Sequence, residues 1–427
     1  MSYIEGYEDN YSSNKIPYDD IPISRRPPRK KPQRVSVSSF KILVSIVAVM
    51  FIVNIGLCIA LVYHAKHAVV KDVVVNNNNI TAVGDSAIAI AADTAWWSSV
   101  CVAAGGSCYN ETTFYKNTIS RGSGVIYKID EKNSVAYIIT CNHVIEGHDK
   151  YYIMLPSMLK PLVAEKVGGS KHYDVAVLKV EYSINTFDSC TQIQIFDSTF
   201  STIGETVLAV GNSLSGGLSV TTGIISRINT MIEVEGNDFD SREIQTDAAI
   251  NPGNSGGGLF NNEGKFVGLV NAKLNTTQSG SSNITVAGTA FAIPSKLVIS
   301  LVDSMIYYEG SPKCINLGVD FFHDAEVGPN PEIVNGKQIT TYKVRAAAPK
   351  SASLAEDGGI QKNDVIKKVK FTDIFGNEQE VNIYNKYSFE DIKFIIKKDT
   401  VVTFYVERSF VNGLKELNIA YTSSITY

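Results

Sequence analysis

A serine stands among glycines in "TDAAINPGNSGGGLF", Thr246 to Phe260. The Ser255 hydroxyl is a poor nucleophile until a base takes its proton, and the base needs a carboxylate to orient it. Two further segments offer such groups. "YIITCNHVIEG" carries His143 where a β-rich run gives way to a turn, and "KHYDVAVLKV" carries Asp174 directly before an alternating strand. Singly, each has a plain structural reading, Ser255 and Asp174 as turn residues and His143 as a structural histidine. His148 and His172 lie nearby and compete for the same role. Together, the three residues form a set for acyl transfer. An oxyanion would need two backbone N–H groups converging on one point, and Gly253 permits the backbone this requires. Gly256 and Gly257 let the chain pass close behind the serine.

These groups need a scaffold, and from about Trp96 to Pro294 the chain is a series of short β runs. "GVIYKI", "SVAYIIT", "DVAVLKV", "TVLAVG", "VTTGIISRI", "KFVGLVNA" and "GTAFAI" are β-branched or aromatic and bounded by Gly, Asn, Asp or Ser. Many strands separated by turns predict a sandwich or a pair of barrels. Helical periodicity first appears in "SKLVISLVDSMIYY". Residues after about Ile315 form a second, mixed unit of short strands. Within it "SFEDIKFIIKK", Ser388 to Lys398, carries helical spacing of its apolar residues.

The chain has 427 residues, 44% apolar and 19% charged, enough for two or three domains with sizeable cores. A net charge of −4 gives no reason to expect nucleic acid as a partner. Residues 1–39 are polar and end in "SRRPPRKKPQR", with too little apolar surface to fold alone. "ILVSIVAVMFIVNIGLCIALVY", Ile42 to Tyr63, follows without a charge and matches the roughly 20 residues a membrane-spanning helix needs. Arg25, Arg26, Arg29, Lys30, Lys31 and Arg34 precede it, against Lys66 and Lys71 after it. This bias predicts a single-pass signal anchor in the cell membrane (residues 40–64), with the N-terminus cytoplasmic and the rest extracytoplasmic. Residues 65–94 read as a linker, and a short loop between Cys101 and Cys108 is compatible with a disulfide in an oxidising compartment. No group of Cys and His has metal-ligand spacing along the chain, so neither a metal nor a cofactor is expected.

With His143, Asp174 and Ser255 in that order on a β scaffold, the arrangement is that of chymotrypsin-like proteases. "TCNHVIEG", "YDVAVLKV" and "TDAAINPGNSGGGL" resemble the three signature blocks of HtrA/Deg serine proteases, and "GSGVIY", "LAVGN" and "GTAFAIPS" resemble further segments of that family. The resemblance covers roughly residues 95–300. It implies a mainly β, trypsin-like double β-barrel with His143 as general base, Asp174 orienting it and Ser255 as nucleophile. Gly253, Asn254 and Ser255 would form the oxyanion hole. Cys141, where a polar residue is more usual, and Gly258, where proline is common, depart from the family pattern. Asn254 before the nucleophile argues against activation by a newly cut N-terminus. Ala249, with Ala290, Phe291 and Ala292 on the pocket-wall segment, implies a specificity pocket for small or medium apolar side chains.

The C-terminal unit extends the resemblance over residues 312–424. "INLGVDF" resembles the carboxylate-binding loop of a PDZ domain, with Leu317, Gly318 and Val319 supplying N–H groups. "AEDGGIQKNDVIKKV" and "SFEDIKFIIKK" resemble the segment that follows and the groove helix. Such a domain captures an extended C-terminus as an added strand. The family further implies a homotrimer, with Trp96 and Trp97 as either trimer contacts or core residues. It also implies unfolded or mislocalised exported proteins as substrates. Two other roles suit the same features: a regulatory protease cutting one membrane signalling protein, and a catalytically silent binding or chaperone module.

Overall fold

The computed structural model describes residues 83–427, apart from 184, 234–239, 273–275, 280–281, 286–287, 410–412, 423 and 427. The described residues all lie within the compact unit Asn79–Tyr427. The anchor read at Ile42–Tyr63 therefore falls outside them. Among the described residues, no helix is long and apolar enough to cross a membrane.

The short β runs close into two six-stranded barrels. The first comprises β1 (Ser99–Ala104), β2 (Ser120–Asp130), β3 (Val135–Cys141), β4 (Tyr151–Met154), β5 (Leu162–Ser170) and β6 (Val175–Glu181), in the order β1-β2-β3-β6-β5-β4. The second comprises β7 (Thr206–Gly211), β8 (Ser219–Glu233), β9 (Asp240–Thr246), β10 (Gly258–Asn261) and β11 (Phe266–Val270). A hairpin of β12 (Thr276–Ser279) and β13 (Ser282–Thr285) then precedes its last strand, β14 (Ala290–Pro294). Closure leaves neither barrel a free sheet edge. Val175, Ala176, Val177, Leu178 and Val180 are all wholly buried, so β6 reads as an almost continuous apolar run.

Among the described residues there are two longer helices, α1 (Val83–Trp97) and α4 (Ser295–Tyr308), and three short ones, α2 (Glu111–Asn117), α3 (Asn142–Ile145) and, in the smaller unit, α5 (Leu354–Asp357). Helix α1 begins within the last part of what composition marks as linker, residues 65–94. Alanine favours helix, and docking supplies what a short isolated helix lacks. Ala91 and Ala95, four residues apart on one face, are buried in the barrel core. Trp96 and Trp97 at its end are half-buried. Helix α4 packs one apolar face, Leu297, Val298, Leu301, Val302 and Met305, into that same core. Cys101 and Cys108 are free thiols, both packed around the Phe114–Tyr115 cluster.

After α4 the chain builds the smaller unit. Its main sheet runs β16 (Phe321–His323), β19 (Val344–Ala346), β20 (Val365–Thr372), β22 (Val401–Glu407), β23 (Lys415–Ala420), with β21 (Glu378–Asn382) also pairing β20. Two smaller pairs complete it: β15 (Lys313–Ile315) with β24 (Ser424–Thr426), and β17 (Asn330–Val334) with β18 (Lys337–Thr341). Strand β16 ends the sheet, paired only with β19 among the described residues. The helix expected at Ser388–Lys398 is instead a series of turns. Its backbone mixes spacings, Lys393 N–H donating to Phe389 O but Ile392 N–H to Phe389 O and Ile395 N–H to Ile392 O. The cause is a divided burial. Phe389, Ile392 and Ile396 enter the small unit's core, while Phe394 enters the core of the first barrel. One helix face cannot serve both.

Candidate active site

His143 lies on α3, directly after β3, and Asp174 occupies the turn before β6. The β3–β6 ladder ends at Cys141 opposite Val175, so its register brings the two segments side by side. Asp174 takes the left-handed conformation, φ +54, which Asp tolerates better than most residues. That backbone is held in place by three bonds. Asn142 N–H donates to Asp174 O (3.1 Å), His143 N–H to Asp174 Oδ1 (2.8 Å), and His143 Nδ1–H to Asp174 Oδ2 (2.6 Å). A carboxylate can only accept, so the last bond fixes the proton on Nδ1 and leaves Nε2 with a free lone pair.

Ser255 comes from the second barrel, in the loop between β9 and β10, and is 6% exposed. The first barrel grips this loop through Ser123 on β2. Ser123 N–H donates to Ser255 O (2.8 Å), and its hydroxyl donates to Gly253 O (2.7 Å) while accepting from Asn212 N–H (2.7 Å). Gly256 N–H donates to Val270 O (2.9 Å), and Gly257 N–H to Asn254 O (2.9 Å). Asn254 N–H is also occupied, donating to Asn251 O (3.0 Å), and so is unavailable to an oxyanion. Among the described residues, the N–H groups of Gly253 and Ser255 have no acceptor. Gly253 sits at φ +97, and a Cβ there would stand 2.3 Å from Asn212 O. Gly256, at φ +84, is pressed as closely against Ser123 O.

The residues read as a specificity pocket are distributed differently. Ala290 and Ala292 belong to the core of the second barrel, Phe291 packs with Ile232 in a separate cluster, and Ala249 is exposed. In the small unit, the loop Asn316–Asp320 borders a cavity of about 350 Å³ together with Phe321, Lys350, Lys386, Tyr387, Phe389, Glu390 and Lys393. Leu317 is buried and Gly318 takes φ +70, with its N–H bound to Asn316 Oδ1 (3.1 Å). The turns that wall this cavity also touch the barrels. Tyr173, next to Asp174, donates its hydroxyl to Glu390 Oε1 (3.1 Å) and sets its ring edge-on to Phe394. Arg242 on β9 forms a buried pair with Asp391 and lies 5.0 Å over the Tyr387 ring. None of Ser123, Tyr173, Arg242 or Asp391 is singled out by residue type alone. "GSGVIY" marks Ser123's segment, without marking its role.

Beside Arg242, Glu243 is wholly buried, and its Oε2 has no partner among the described residues. Burial pushes its carboxyl up to about 8; Asp174's charge adds to this, while the Ser241 hydroxyl and Arg242 oppose it.

Compared with known proteins, residues 122–269 match the trypsin-like peptidase domain family. A serine protease Do-like HtrA of Lactococcus lactis is 35% identical over 263 residues, 58% of this chain and 60% of its own length. One from Bacillus subtilis is 34% identical over 275 residues, 62% of this chain and 57% of its own. The chain is thus similar to HtrA serine proteases over a region that includes its match to the trypsin-like peptidase domain. A Lactobacillus helveticus HtrA is 41% identical over a shorter 192 residues, 44% of each chain. This chain thus spans about three fifths of the length of the first two relatives it matches.

Proposed function

We propose that the chain is a serine endopeptidase that cleaves unfolded or mislocalised exported proteins from an anchored position at the membrane. The observation carrying this reading is the His143–Asp174 pair, locked at 2.6 Å on one barrel, while Ser123 of that barrel holds the Ser255 loop of the other. In the reaction, Ser255 Oγ attacks the peptide carbonyl as its proton passes to His143 Nε2. The Gly253 and Ser255 N–H groups receive the oxyanion. His143 then protonates the leaving amine, and water hydrolyses the acyl-enzyme by the same route in reverse. Ala249, six residues before the nucleophile, offers no charge to a basic side chain, so small or medium apolar residues before the cut bond suit this site.

The smaller unit acts as a PDZ domain in this reading. An extended C-terminus adds alongside β16, the open edge of the sheet, with its carboxylate at Leu317–Val319 and Lys350, Lys386 and Lys393 nearby. The Glu390–Tyr173 bond favours a gated over a merely tethered enzyme, because a groove residue touches the neighbour of Asp174. Association as a trimer and anchoring through residues 42–63 belong to the same proposal. The test is labelling with a fluorophosphonate probe, with and without a C-terminal peptide. Labelling that Ser255→Ala removes supports the triad. An intact chain that never labels, even with peptide, overturns it in favour of a silent binding module.

A further inference from the structure

The fold assembles a donor set that the linear sequence does not advertise. Cys141 ends β3 two residues before His143, and its ladder partner Val175 follows Asp174. One ligand atom each from Cys141, His143 and Asp174 lies within 4.8 Å of the others. Cys141 is wholly buried, with Sγ against Val270 O (3.4 Å), whereas the His143 and Asp174 side chains are 26% and 18% exposed. The thiol is thus a floor beneath two groups reachable from solvent.

We propose that this corner binds a borderline-soft divalent cation, Zn²⁺ by chemistry, which reversibly silences the enzyme. In tetrahedral zinc sites, S and N ligands at about 2.3 and 2.0 Å from the metal stand roughly 3.3–3.8 Å from one another. The widest separation, at most 4.8 Å, needs up to about 1 Å of closing, while the 2.6 Å His143 Nδ1–Asp174 Oδ2 pair must open by a little less than that. A thiolate, an imidazole and a carboxylate form a donor set that suits Zn²⁺ and poorly suits Mg²⁺ or Ca²⁺, which prefer oxygen alone. An outer contact that orients a ligand is already present. His143 N–H holds Asp174 Oδ1, whereas the bond from the Cys141 thiol to Val270 O is given up when the thiol loses its proton. On binding, the thiol proton and the Nδ1 proton leave to water, and bonds to the metal replace the His143–Asp174 hydrogen bond. The imidazole then loses the partner that orients it as a base. Cation binding stands on the geometry alone, while inhibition rests on the protease reading above.

Two measurements separate those claims. In the full chain carrying Ser255→Ala, which keeps all three donors, Co²⁺ should give a thiolate-to-cobalt charge-transfer band saturating at one ion per chain. Adding Cys141→Ser should abolish the band. No band, or a band that survives Cys141→Ser, overturns the site. X-ray absorption at the zinc edge of the intact chain must find one sulfur neighbour, which tests the site without relying on a variant's folding. With Ser255 restored, Zn²⁺ should suppress fluorophosphonate labelling at concentrations at least tenfold lower for Cys141 than for Cys141→Ser, each against its own metal-free rate. Equal sensitivity would mean that zinc acts through His143 alone and would overturn the proposal. A chain that binds cobalt through Cys141 yet never labels would leave the cation site standing and overturn the protease reading.

Discussion

Gly253 is constrained twice, by a left-handed backbone and by the carbonyl of Asn212 where a Cβ would stand. Gly253→Ala must therefore turn the peptide or push the Asn212 strand end away, and either shift moves one of the two N–H groups assigned to the oxyanion. Loss of one such donor costs about 10²–10³-fold in rate. Fluorophosphonate labelling of Gly253→Ala should slow by at least that much, while its melting temperature falls only modestly. Labelling at the parental rate would remove Gly253 from the oxyanion role. As candidates, His143, Asp174 and Ser255 are legible in sequence because few residue types can do the proposed chemistry and each stands in a segment flanking a strand. Gly253 is legible because only glycine accepts its backbone cheaply. Ser123 is not legible, since a serine in a strand announces neither a staple between barrels nor which loop it holds. The Cys141 grouping escapes for a different reason: His143 stands two residues away, but Asp174 is brought beside them only through ladder register.

The turns of Tyr384–Lys398 connect the groove to the barrels, and two contacts there carry separate predictions. Truncating one member of a buried ion pair leaves the other charged and unsatisfied, at a cost of about 3–5 kcal/mol. Arg242→Met should thus destabilise the chain strongly in thermal melts, and Arg242→Met with Asp391→Leu should recover most of the loss. If the double variant melts as low as the single one, the pair does not account for the effect. Tyr173→Phe deletes only the hydroxyl bonded to Glu390 and keeps the ring against Phe394. Under the proposed gating, it should leave peptide affinity unchanged, measured by fluorescence anisotropy, while diminishing any increase in casein cleavage on adding a C-terminal peptide. An unaltered increase would show that gating runs by another route. This segment is also where sequence reading fails most clearly. Its helical spacing is real, but its aromatic residues are shared between two cores, and no local pattern encodes that division. The Ala-rich stretch at α1 fails similarly, since its helix is completed by the barrel it docks on.

At the scale of the whole molecule, stability should depend on pH through a buried acid that is not part of the proposed chemistry. Glu243 is raised from an ordinary 4.5 to about 8, chiefly by burial. Below pH about 4.5 the carboxyl is neutral in both folded and unfolded chains and contributes no penalty. Between about 4.5 and 8 the unfolded chain releases its proton and the folded chain does not, so stability falls as pH rises. Glu243→Gln should melt higher than the parent at pH 8, with the gap closing toward pH 4.5. A gap independent of pH would contradict the assignment.

The division of Phe389 and Phe394 between two cores has a further consequence, for engineering. Halves joined in this way are not interchangeable cassettes. A chimera that grafts a different C-terminal unit after α4 would leave an aromatic-sized hole beside Tyr173, one residue from the carboxylate that orients His143. Recombination would succeed only where the crossover carries a matching aromatic residue with it. Among descendants of this architecture, the barrels and the smaller unit should therefore change together or remain as they are.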